Sequence, residues 1–332
     1  MDVKTVFLNS ELEETVNMNI PEGLELDTHS QVTNRHMVCR LMKSIYGQKQ
    51  SPRAWYRKIN TFIINHGFQR SDRDHNVYIH KIFKLILLLY VDDLVIIAPS
   101  MEDVNWVRRL LHKGYEMTDL RPLVVLLGME IHRNSQERTI HLSQQHNIST
   151  ILHQFGMSTA TTVSTPADPH VRLIAFPADH QTDTINQQRY QAAIGSLIYA
   201  IIGTGPDIAF GLSAVSQYST NPGSRHWTAV RRIFRYLGST RSHGIAYGGG
   251  YCGGYTDADW GTGQDRKSIG GYVFLVNGRA VSWASKKRSS VALSFTEAEY
   301  IAWTQGVKKS LWLGELLGDV GVFNHREAIR QV

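Results

Sequence analysis

Cysteine is nearly absent from this sequence, which has only Cys39 and Cys252 among its 332 residues. The two are too far apart to form a Cys-x-x-Cys ligand pair, and two are too few for a disulfide-stapled fold. The histidines are scattered, without the His-x3-His or Cys–His spacing that is typical of zinc sites. The sequence therefore excludes a disulfide scaffold and a zinc ribbon, and it favours a reducing compartment.

Long apolar segments are missing as well. The longest mainly apolar run, Leu85 to Ala98, contains Asp92 and Asp93. It is too short to cross a bilayer, and two central carboxylates would make a crossing very costly. The first residues are polar and do not resemble a signal peptide. We therefore expect a soluble, intracellular protein without a membrane partner.

Acidic residues are lacking in two long segments, Thr28–Ser71 and Ile208–Thr256. The chain has 35 Lys and Arg against 29 Asp and Glu, a formal charge of +6, so its positive charge is concentrated in these segments. Their basic residues alternate with Tyr46, Trp55 and Trp227, a combination suited to binding a phosphate backbone. The alternative interpretation is that these are ordinary solvated helix faces.

Apolar periodicity and turn residues predict the local elements. The predicted helices span 52–66, 104–111, 148–155, 190–201, a segment starting at Pro206, 227–237 and 297–317, and the predicted strands span 85–91, 94–98, 254–259, 271–276 and 279–284. Ser51 as N-cap with Pro52 at the first helical position, and Asn277-Gly278 between two apolar strands, are the sharpest of these signals. Residues 157–186, rich in Thr, Ser, Pro and Asp, predict a linker.

Asp92 and Asp93, in Tyr90-Val-Asp-Asp93, are the sharpest chemical feature. Adjacent carboxylates between two apolar strands repel one another unless a cation neutralises them, and Mg²⁺ prefers such oxygen ligands. The alternative is a solvent-exposed acidic turn. Asp2, in a short alternating segment, is a possible third ligand from a neighbouring strand.

A second group of acids lies near the carboxyl end. Asp257 and Asp259 stand two residues apart and are expected to share one face of a strand, which makes them a second candidate cation site. Glu299 follows on a predicted helix, where Thr296-x-x-Glu299 matches a capping box that needs no catalytic role. A metal ligand and a helix cap both remain open for Glu299.

Other chemistries find no motif. The sequence has no G-x-S-x-G elbow and no Walker pattern. The remaining class of function is chemistry on nucleic acid by carboxylates that hold divalent cations. Paired metal ions of this kind typically catalyse in-line displacement at phosphorus. A metal-independent glycosidase that uses two acids is a distant alternative.

The ordered motifs resemble the Pol region of copia-type LTR retrotransposons. The matching segments are Asp2-Val-Lys-Thr-Val-Phe-Leu-Asn9, Ser44-Ile-Tyr-Gly47 with the following Gln-Lys-Gln-Ser-Pro-Arg-Ala-Trp-Tyr56, Tyr90-Val-Asp-Asp93, Leu127-Gly-Met-Glu-Ile131, Tyr255-Thr-Asp-Ala-Asp-Trp260 and Thr296-Glu-Ala-Glu-Tyr-Ile-Ala302. The resemblance implies an α+β fold: a right-hand palm and thumb like that of polymerases, a helical connection, and a ribonuclease H-like domain with a mixed sheet. The corresponding boundaries are 1–156 for the palm and thumb with the fingers largely missing, 157–186 for the linker, 187–247 for the connection and 248–332 for an incomplete ribonuclease H-like domain.

The resemblance also implies residue roles and partners. Asp2, Asp92 and Asp93 would hold the Mg²⁺ (or Mn²⁺) ions of the polymerase, and Asp257 and Glu299 those of RNA hydrolysis. The residues implied in contacts with template or incoming nucleotide are Gln50, Ser51, Arg53 and Tyr90. The implied partners are an RNA template, a DNA primer, an RNA–DNA hybrid, deoxynucleoside triphosphates and other parts of the polyprotein. The implied location is a cytoplasmic virus-like particle or the nucleus.

Departures from the family pattern bear on activity. Asp2 is the second residue, where chain ends are often poorly held, and the family's next ribonuclease H motif, Cys-Asp-Asn, does not follow Glu299. We therefore expect little polymerase activity from this chain alone. The alternative function is that of a catalytically inactive, nucleic-acid-binding remnant.

Overall fold

The computed structural model describes residues 1–23, 37–120, 122–175, 185–261, 263, 265–322 and 330–331. The chain divides into two compact units. One comprises Met1–Pro122 and Glu315–Phe323, and the other comprises Leu123–Gly314 and Asn324–Val332. Each unit has its own buried apolar core.

The first unit is built around one antiparallel sheet. In chain order its elements are β1 (Asp2–Val3), β2 (Asn17–Met18), β3 (Cys39–Arg40), α1 (Ser51–Asn65), β4 (Gln69–Arg70), β5 (Val77–His80), β6 (Leu85–Tyr90), β7 (Asp93–Ile97), α2 (Met101–Gly114) and β8 (Met117–Thr118). Six strands form the sheet in the order β4-β5-β6-β7-β1-β8, and β2 pairs with β3 separately. The first strand of the chain is therefore internal to the sheet.

Helix α1 confirms the helix predicted over 52–66. Pro52 lies in its first turn, where the missing N–H costs no helical hydrogen bond. Trp55, Ile59 and Ile63 form its buried stripe. The residue before the helix is Gln50 and not Ser51 as predicted, because the Ser51 hydroxyl donates instead to the Ile45 carbonyl at 2.7 Å.

The predicted strand pair at 85–98 is also confirmed, as β6 and β7. Leu85, Leu87 and Leu89 are buried, whereas the alternate side chains of β6 are half-buried or exposed. The buried leucines share one core with the apolar stripes of α1 and α2. The helices therefore cover one face of the sheet, and the other face is more open.

The second unit combines helices with two sheets. In chain order its elements are β9 (Val125–Leu126), β10 (Met129–Asn134), β11 (Thr139–Ser143), α3 (Gln145–Gln154), α4 (Gln187–Thr204), α5 (Ala209–Ser216), α6 (Ser224–Thr240), β12 (Gly244–Tyr247), β13 (Gly253–Ala258), β14 (Ile269–Val276), β15 (Arg279–Lys287), α7 (Phe295–Asp319) and β16 (Arg330–Gln331). The sheet orders are β12-β11-β10-β9 and β15-β14-β13-β16.

Helices α3 to α6 enclose the larger core of this unit, in which Tyr190, Leu197 and Phe234 are fully buried. His226 on α6 ties the preceding segment to this core. Its Nδ1 accepts from the Gly223 N–H at 3.0 Å and its Nε2 lies 2.9 Å from the Ile174 carbonyl. Burial lowers the pKa of His226, although the bond to Ile174 opposes the shift.

The described part of the predicted linker, 157–175 and 185–186, contains neither helix nor strand. Residues 176–184 lie outside the described residues. The Asn277-Gly278 hairpin is confirmed: both residues have positive φ, 53° and 72°, and they join β14 to β15. This is the turn chemistry that Asn-Gly supplies.

Helix α7 begins at Phe295, two residues before the predicted start, and this changes its cap. The Ser294 hydroxyl accepts from the Glu297 N–H at 3.1 Å, and the Glu297 carboxylate accepts from the Leu293 N–H at 2.6 Å. The predicted Thr296–Glu299 capping box is therefore wrong. The cap belongs to Ser294 and Glu297 because Thr296 already lies inside the helix.

The mixture of helices and sheets agrees with the predicted α+β class. The domain boundaries at 156, 186 and 247 stay predictions. Within the described part of the chain, no helix combines the length and apolar character needed to span a membrane.

Candidate active site

The pairing register aligns four residues across the first sheet. Tyr90 on β6 pairs with Asp93 on β7, Asp93 with Asp2 on β1, and Asp2 with Thr118 on β8. Residues directly opposite in a sheet point to the same face. The four side chains therefore form one row, on the face that α1 and α2 do not cover.

Asp2 and Asp93 occupy the close type of antiparallel pair. The bonds beside them, from Val3 N–H to the Asp92 carbonyl (3.0 Å) and from Leu94 N–H to the Met1 carbonyl (2.8 Å), leave this pair itself without hydrogen bonds. Such pairs have Cα atoms about 4.5 Å apart and adjacent side chains. Two carboxylates are thus held side by side, and Asp2 is anchored on both flanks despite its position in the chain.

The electrostatics of this pair favour a cation. The pKa of Asp93 is raised, first by burial and then by the negative charges of Asp92 and Asp2. Like charges directly opposite destabilise a sheet. A divalent cation would relieve this repulsion, and none of the ion pairs among the described residues involves Asp2, Asp92 or Asp93.

Asp92 lies in the two-residue turn between β6 and β7. We call residues 90–93 the aspartate turn. In this turn Tyr90 is exposed and Asp92 is half-buried. Val91 has a φ of 57°, a strained conformation for a β-branched residue. Strained turns of this kind often occur at functional sites.

Three of the four residues predicted to contact template or nucleotide lie at the start of α1, and the fourth, Tyr90, ends β6. Arg53 is exposed and Gln50 is half-buried, so both side chains reach solvent. Ser51 differs from the prediction: it is fully buried, and its hydroxyl donates to the Ile45 carbonyl and contacts Gln48 Oε1 at 3.1 Å. The Ser51 hydroxyl therefore binds the 44–50 loop. Because it is not exposed, it has no direct path to a ligand.

Sequence reasoning missed one residue of this site, Trp55. The sequence predicts Trp55 as part of an apolar stripe and of a basic, aromatic segment, yet its indole N–H donates to the Val91 carbonyl at 2.7 Å. The two residues are 36 positions apart. A pattern of helical periodicity carries no signal for such a bond, although a buried indole N–H always requires an acceptor.

The carboxylates of the second predicted acidic group, Asp257 and Asp259, do not form a pair like that of Asp2 and Asp93. β13 ends at Ala258, and the Asp259 carboxylate accepts from the Ile269 N–H. The expected cation pair of Asp257 and Asp259 is therefore not free, since one member stabilises the start of β14. Asp257 itself is exposed.

Glu299 is half-buried on α7. Its neighbour Ala298 joins Ala302, Ala292 and Ala258 in a small buried cluster, which packs α7 against β13. Asp257 precedes Ala258 and leaves the strand on its other face. That Asp257 and Glu299 form one site stays a prediction.

Within the described ranges, no group of three or more His, Cys, Asp or Glu side chains is placed to hold a metal ion. The carboxylates of the first unit still fit Mg²⁺, which usually takes one or two protein carboxylates and completes its shell with water and phosphate. The donor set of Asp2 and Asp93, with Asp92 next to it, meets this requirement.

Comparison with known proteins identifies the family. The profile described as reverse transcriptase (RNA-dependent DNA polymerase) matches residues 1–169, about half of the chain. The chain belongs to the reverse transcriptase family. The matched region contains the aspartate turn, β1 and the start of α1.

Relatives extend the likeness over nearly the whole sequence. The Pol polyprotein of transposon TNT 1-94 from Nicotiana tabacum is 40% identical over 97% of this chain, and that of transposon RE1 from Arabidopsis thaliana is 33% identical over 97%. A transposon Ty5-1 protein from Saccharomyces cerevisiae is 33% identical over 92% of this chain. These matches confirm the predicted resemblance to the Pol polyprotein of copia-type retrotransposons.

The chain spans 24% of the length of the tobacco polyprotein and 22% of the RE1 polyprotein, but 99% of the Ty5-1 protein. At the level of the family, the activity is RNA-directed DNA synthesis, and the partners are a nucleic-acid template and primer.

Proposed function

We propose that the first unit carries the polymerase site of RNA-directed DNA synthesis, at Asp2, Asp92 and Asp93. The observation that carries the proposal is the direct opposition of Asp2 and Asp93 beside the aspartate turn. Two adjacent carboxylates on an open sheet face suit metal-assisted transfer of a nucleotide, and none of the ion pairs among the described residues involves them.

Asp2, Asp92 and Asp93 would hold the divalent cations. Bound Mg²⁺ or Mn²⁺ would supply charge stabilisation to the attacking and leaving oxygens at phosphorus. The protein's contribution is to keep the carboxylates adjacent and oriented by main-chain hydrogen bonds. Tyr90 borders the same row and would lie against the primer end or the incoming nucleotide.

The start of α1 would contact template or incoming nucleotide through Gln50 and Arg53. The Arg53 guanidinium is exposed and makes no ion pair or hydrogen bond with any described residue. A free guanidinium suits phosphate, which it can bind in a bidentate manner. Ser51 would support this surface from within the loop.

Primer extension on poly(rA)/oligo(dT) with Mg²⁺ or Mn²⁺ tests the proposal. We expect slow, cation-dependent extension that Asp92→Asn and Asp93→Asn reduce at least about 100-fold, because the cation supplies several kcal/mol of charge stabilisation. Asp72→Asn, an exposed aspartate in the β4–β5 connection, is the matched control and should extend normally. Hybrid binding without any extension by the unmodified chain would favour the inactive remnant.

We further propose that the second unit contains a ribonuclease H-like domain acting on RNA–DNA hybrid. The supporting observation is its mixed sheet, in which β13, β14 and β15 are antiparallel and β16 pairs with β13 in parallel. Helix α7 stands between β15 and β16 in the sequence and carries Glu299.

Cleavage of a hybrid labelled in its RNA strand tests this second proposal. Asp257→Asn and Glu299→Gln should each abolish Mn²⁺-dependent cleavage. The control is Glu297→Gln, two residues before Glu299 on the same helix, where the side chain takes part in the cap. This variant should keep the cleavage rate per folded molecule. Equal loss in all three variants would contradict the assignment of Glu299.

A further inference from the structure

The indole of Trp55 is the only described side chain whose hydrogen bond ends on the main chain of the aspartate turn. Trp55 is 1% exposed, and its ring meets Tyr115 edge to face at a centroid distance of 5.2 Å. Tyr115 in turn contacts Phe62 on α1. Because these rings enclose the indole, its N–H direction is set by the core.

The accepting carbonyl belongs to the strained residue of the turn. Val91 combines a positive φ with a β-branched side chain that is 45% exposed, so its own side chain contributes little packing. A strained conformation persists only where the surroundings impose it. The two-residue hairpin requires this positive φ, and the bond from Trp55, at 2.7 Å, holds the Val91 carbonyl in that conformation.

This bond also constrains the carboxylates. The Val91 carbonyl lies on the peptide group that leads into Asp92, and the Asp92 carbonyl accepts from the Val3 N–H at 3.0 Å. Asp92 is therefore held through its preceding peptide by Trp55 and through its following peptide by β1. Fixing both peptide groups sets where the Asp92 and Asp93 side chains leave the backbone.

We propose that Trp55 is a positioning residue of the polymerase site, which aligns Asp92 and Asp93 through the hydrogen bond to Val91. The inference rests on the proposed polymerase function and adds a link between two sequence motifs. Helix α1 carries the nucleotide-contacting residues at its start and Trp55 one turn later. The same helix therefore sets both the loop at 44–50 and the aspartate turn.

Trp55→Phe tests the inference, because it keeps an aromatic ring and removes the N–H. The matched control is Trp106→Phe, the same substitution in the same core at a tryptophan without a hydrogen bond to the aspartate turn. Groups that orient metal ligands typically contribute about 10–100-fold to affinity or activity. We expect Trp55→Phe to weaken Mn²⁺ binding about tenfold and to lower kcat with little change in the KM for dTTP.

Two further readouts keep this test separate from the polymerase assay. Mn²⁺ binding, followed by electron paramagnetic resonance, needs no turnover. Amide hydrogen exchange at Val3 and Leu94 reports the turn directly, and we expect it to accelerate in Trp55→Phe but not in Trp106→Phe. Unchanged exchange in Trp55→Phe, or equal Mn²⁺ weakening in both variants, would overturn the inference. If the unmodified chain binds no Mn²⁺, the proposed polymerase site fails and the exchange comparison alone decides the role of Trp55.

Discussion

The opposed carboxylates of Asp2 and Asp93 make cation binding depend on pH. Burial, Asp92 and Asp2 raise the pKa of Asp93, so protons compete with a cation at a higher pH than for an ordinary aspartate. We expect Mn²⁺ affinity to fall about tenfold per pH unit once the pH drops below this raised pKa. A Mn²⁺ titration between pH 7 and pH 4 checks this, and a flat profile would contradict it.

The stability of the fold depends on pH in the opposite direction to cation affinity. A carboxyl group with a raised pKa in the folded state disfavours folding when it is charged, so the free energy of unfolding falls as the pH rises through that pKa. Without divalent cation, Asp93→Asn should therefore raise the free energy of unfolding at neutral pH, by less than about 1 kcal/mol. The gain should vanish at pH 3, which provides the control.

Substitution of Ser51 tests whether this residue supports its loop or contacts the nucleotide directly. Its buried hydroxyl donates to the Ile45 carbonyl, and leaving a buried polar group unpaired costs about 1–3 kcal/mol. We expect Ser51→Ala to lower the free energy of unfolding in urea by that amount. Thr61→Ala removes an exposed hydroxyl from the same helix and should change it by less than about 0.5 kcal/mol. A stable Ser51→Ala with a raised KM for nucleotide would instead indicate contact.

At the scale of elements, the two glutamates at the start of α7 have different roles: Glu297 belongs to the helix cap, and Glu299 is the proposed site residue. Ser294 accepts from the Glu297 N–H in the first turn and Glu297 accepts from the Leu293 N–H just before the helix, whereas Glu299 takes part in neither bond. Glu297→Ala should therefore cost roughly 0.5–2 kcal/mol of stability, the usual range for a lost cap. Glu299→Ala should cost little, since the side chain is half-buried beside the alanine cluster. Thermal unfolding of the two variants measures the difference, and a larger loss for Glu299→Ala would restore the predicted capping box.

The strand β1 shows how an element decides a site. It has only two residues, yet it lies between β7 and β8 and receives hydrogen bonds from both. A shift of one residue in its register would turn Asp2 to the covered face and Val3 to the open one. Burial of Val3 in the apolar core opposes that shift. The hydrophobic neighbour therefore fixes the direction of the acidic side chain.

For the whole molecule, charge placement predicts how nucleic acid binds. Arg53 and Arg57 are exposed one turn apart on α1, but Arg57 pairs with Glu13 at 2.6 Å. Each phosphate contact adds about one to the slope of log affinity against log salt. We expect Arg53→Gln to reduce the salt slope for poly(rA)/oligo(dT) by about one and Arg57→Gln to reduce it less. Equal slopes for both variants and the unmodified chain would contradict a contact through Arg53.

Much of the local structure could be predicted because its causes are local. Pro52 and the stripe at Trp55, Ile59 and Ile63 predicted α1, and the apolar runs around the two aspartates predicted β6 and β7. The start of α7 could not be predicted in the same way. Two overlapping capping patterns, at Ser294 and at Thr296, compete there, and the choice between them depends on where the alanines of α7 meet β13.

The sequence by itself determined the family, the helices and hairpins, and the two aspartates of the turn, since periodicity, turn chemistry and motif order lie within short segments. Only the tertiary structure decided which residues meet. It set Asp2 opposite Asp93, buried Ser51 within its loop and brought the Trp55 indole to Val91. These contacts join residues distant in the chain, and their register follows from the packing of apolar neighbours against a shared core.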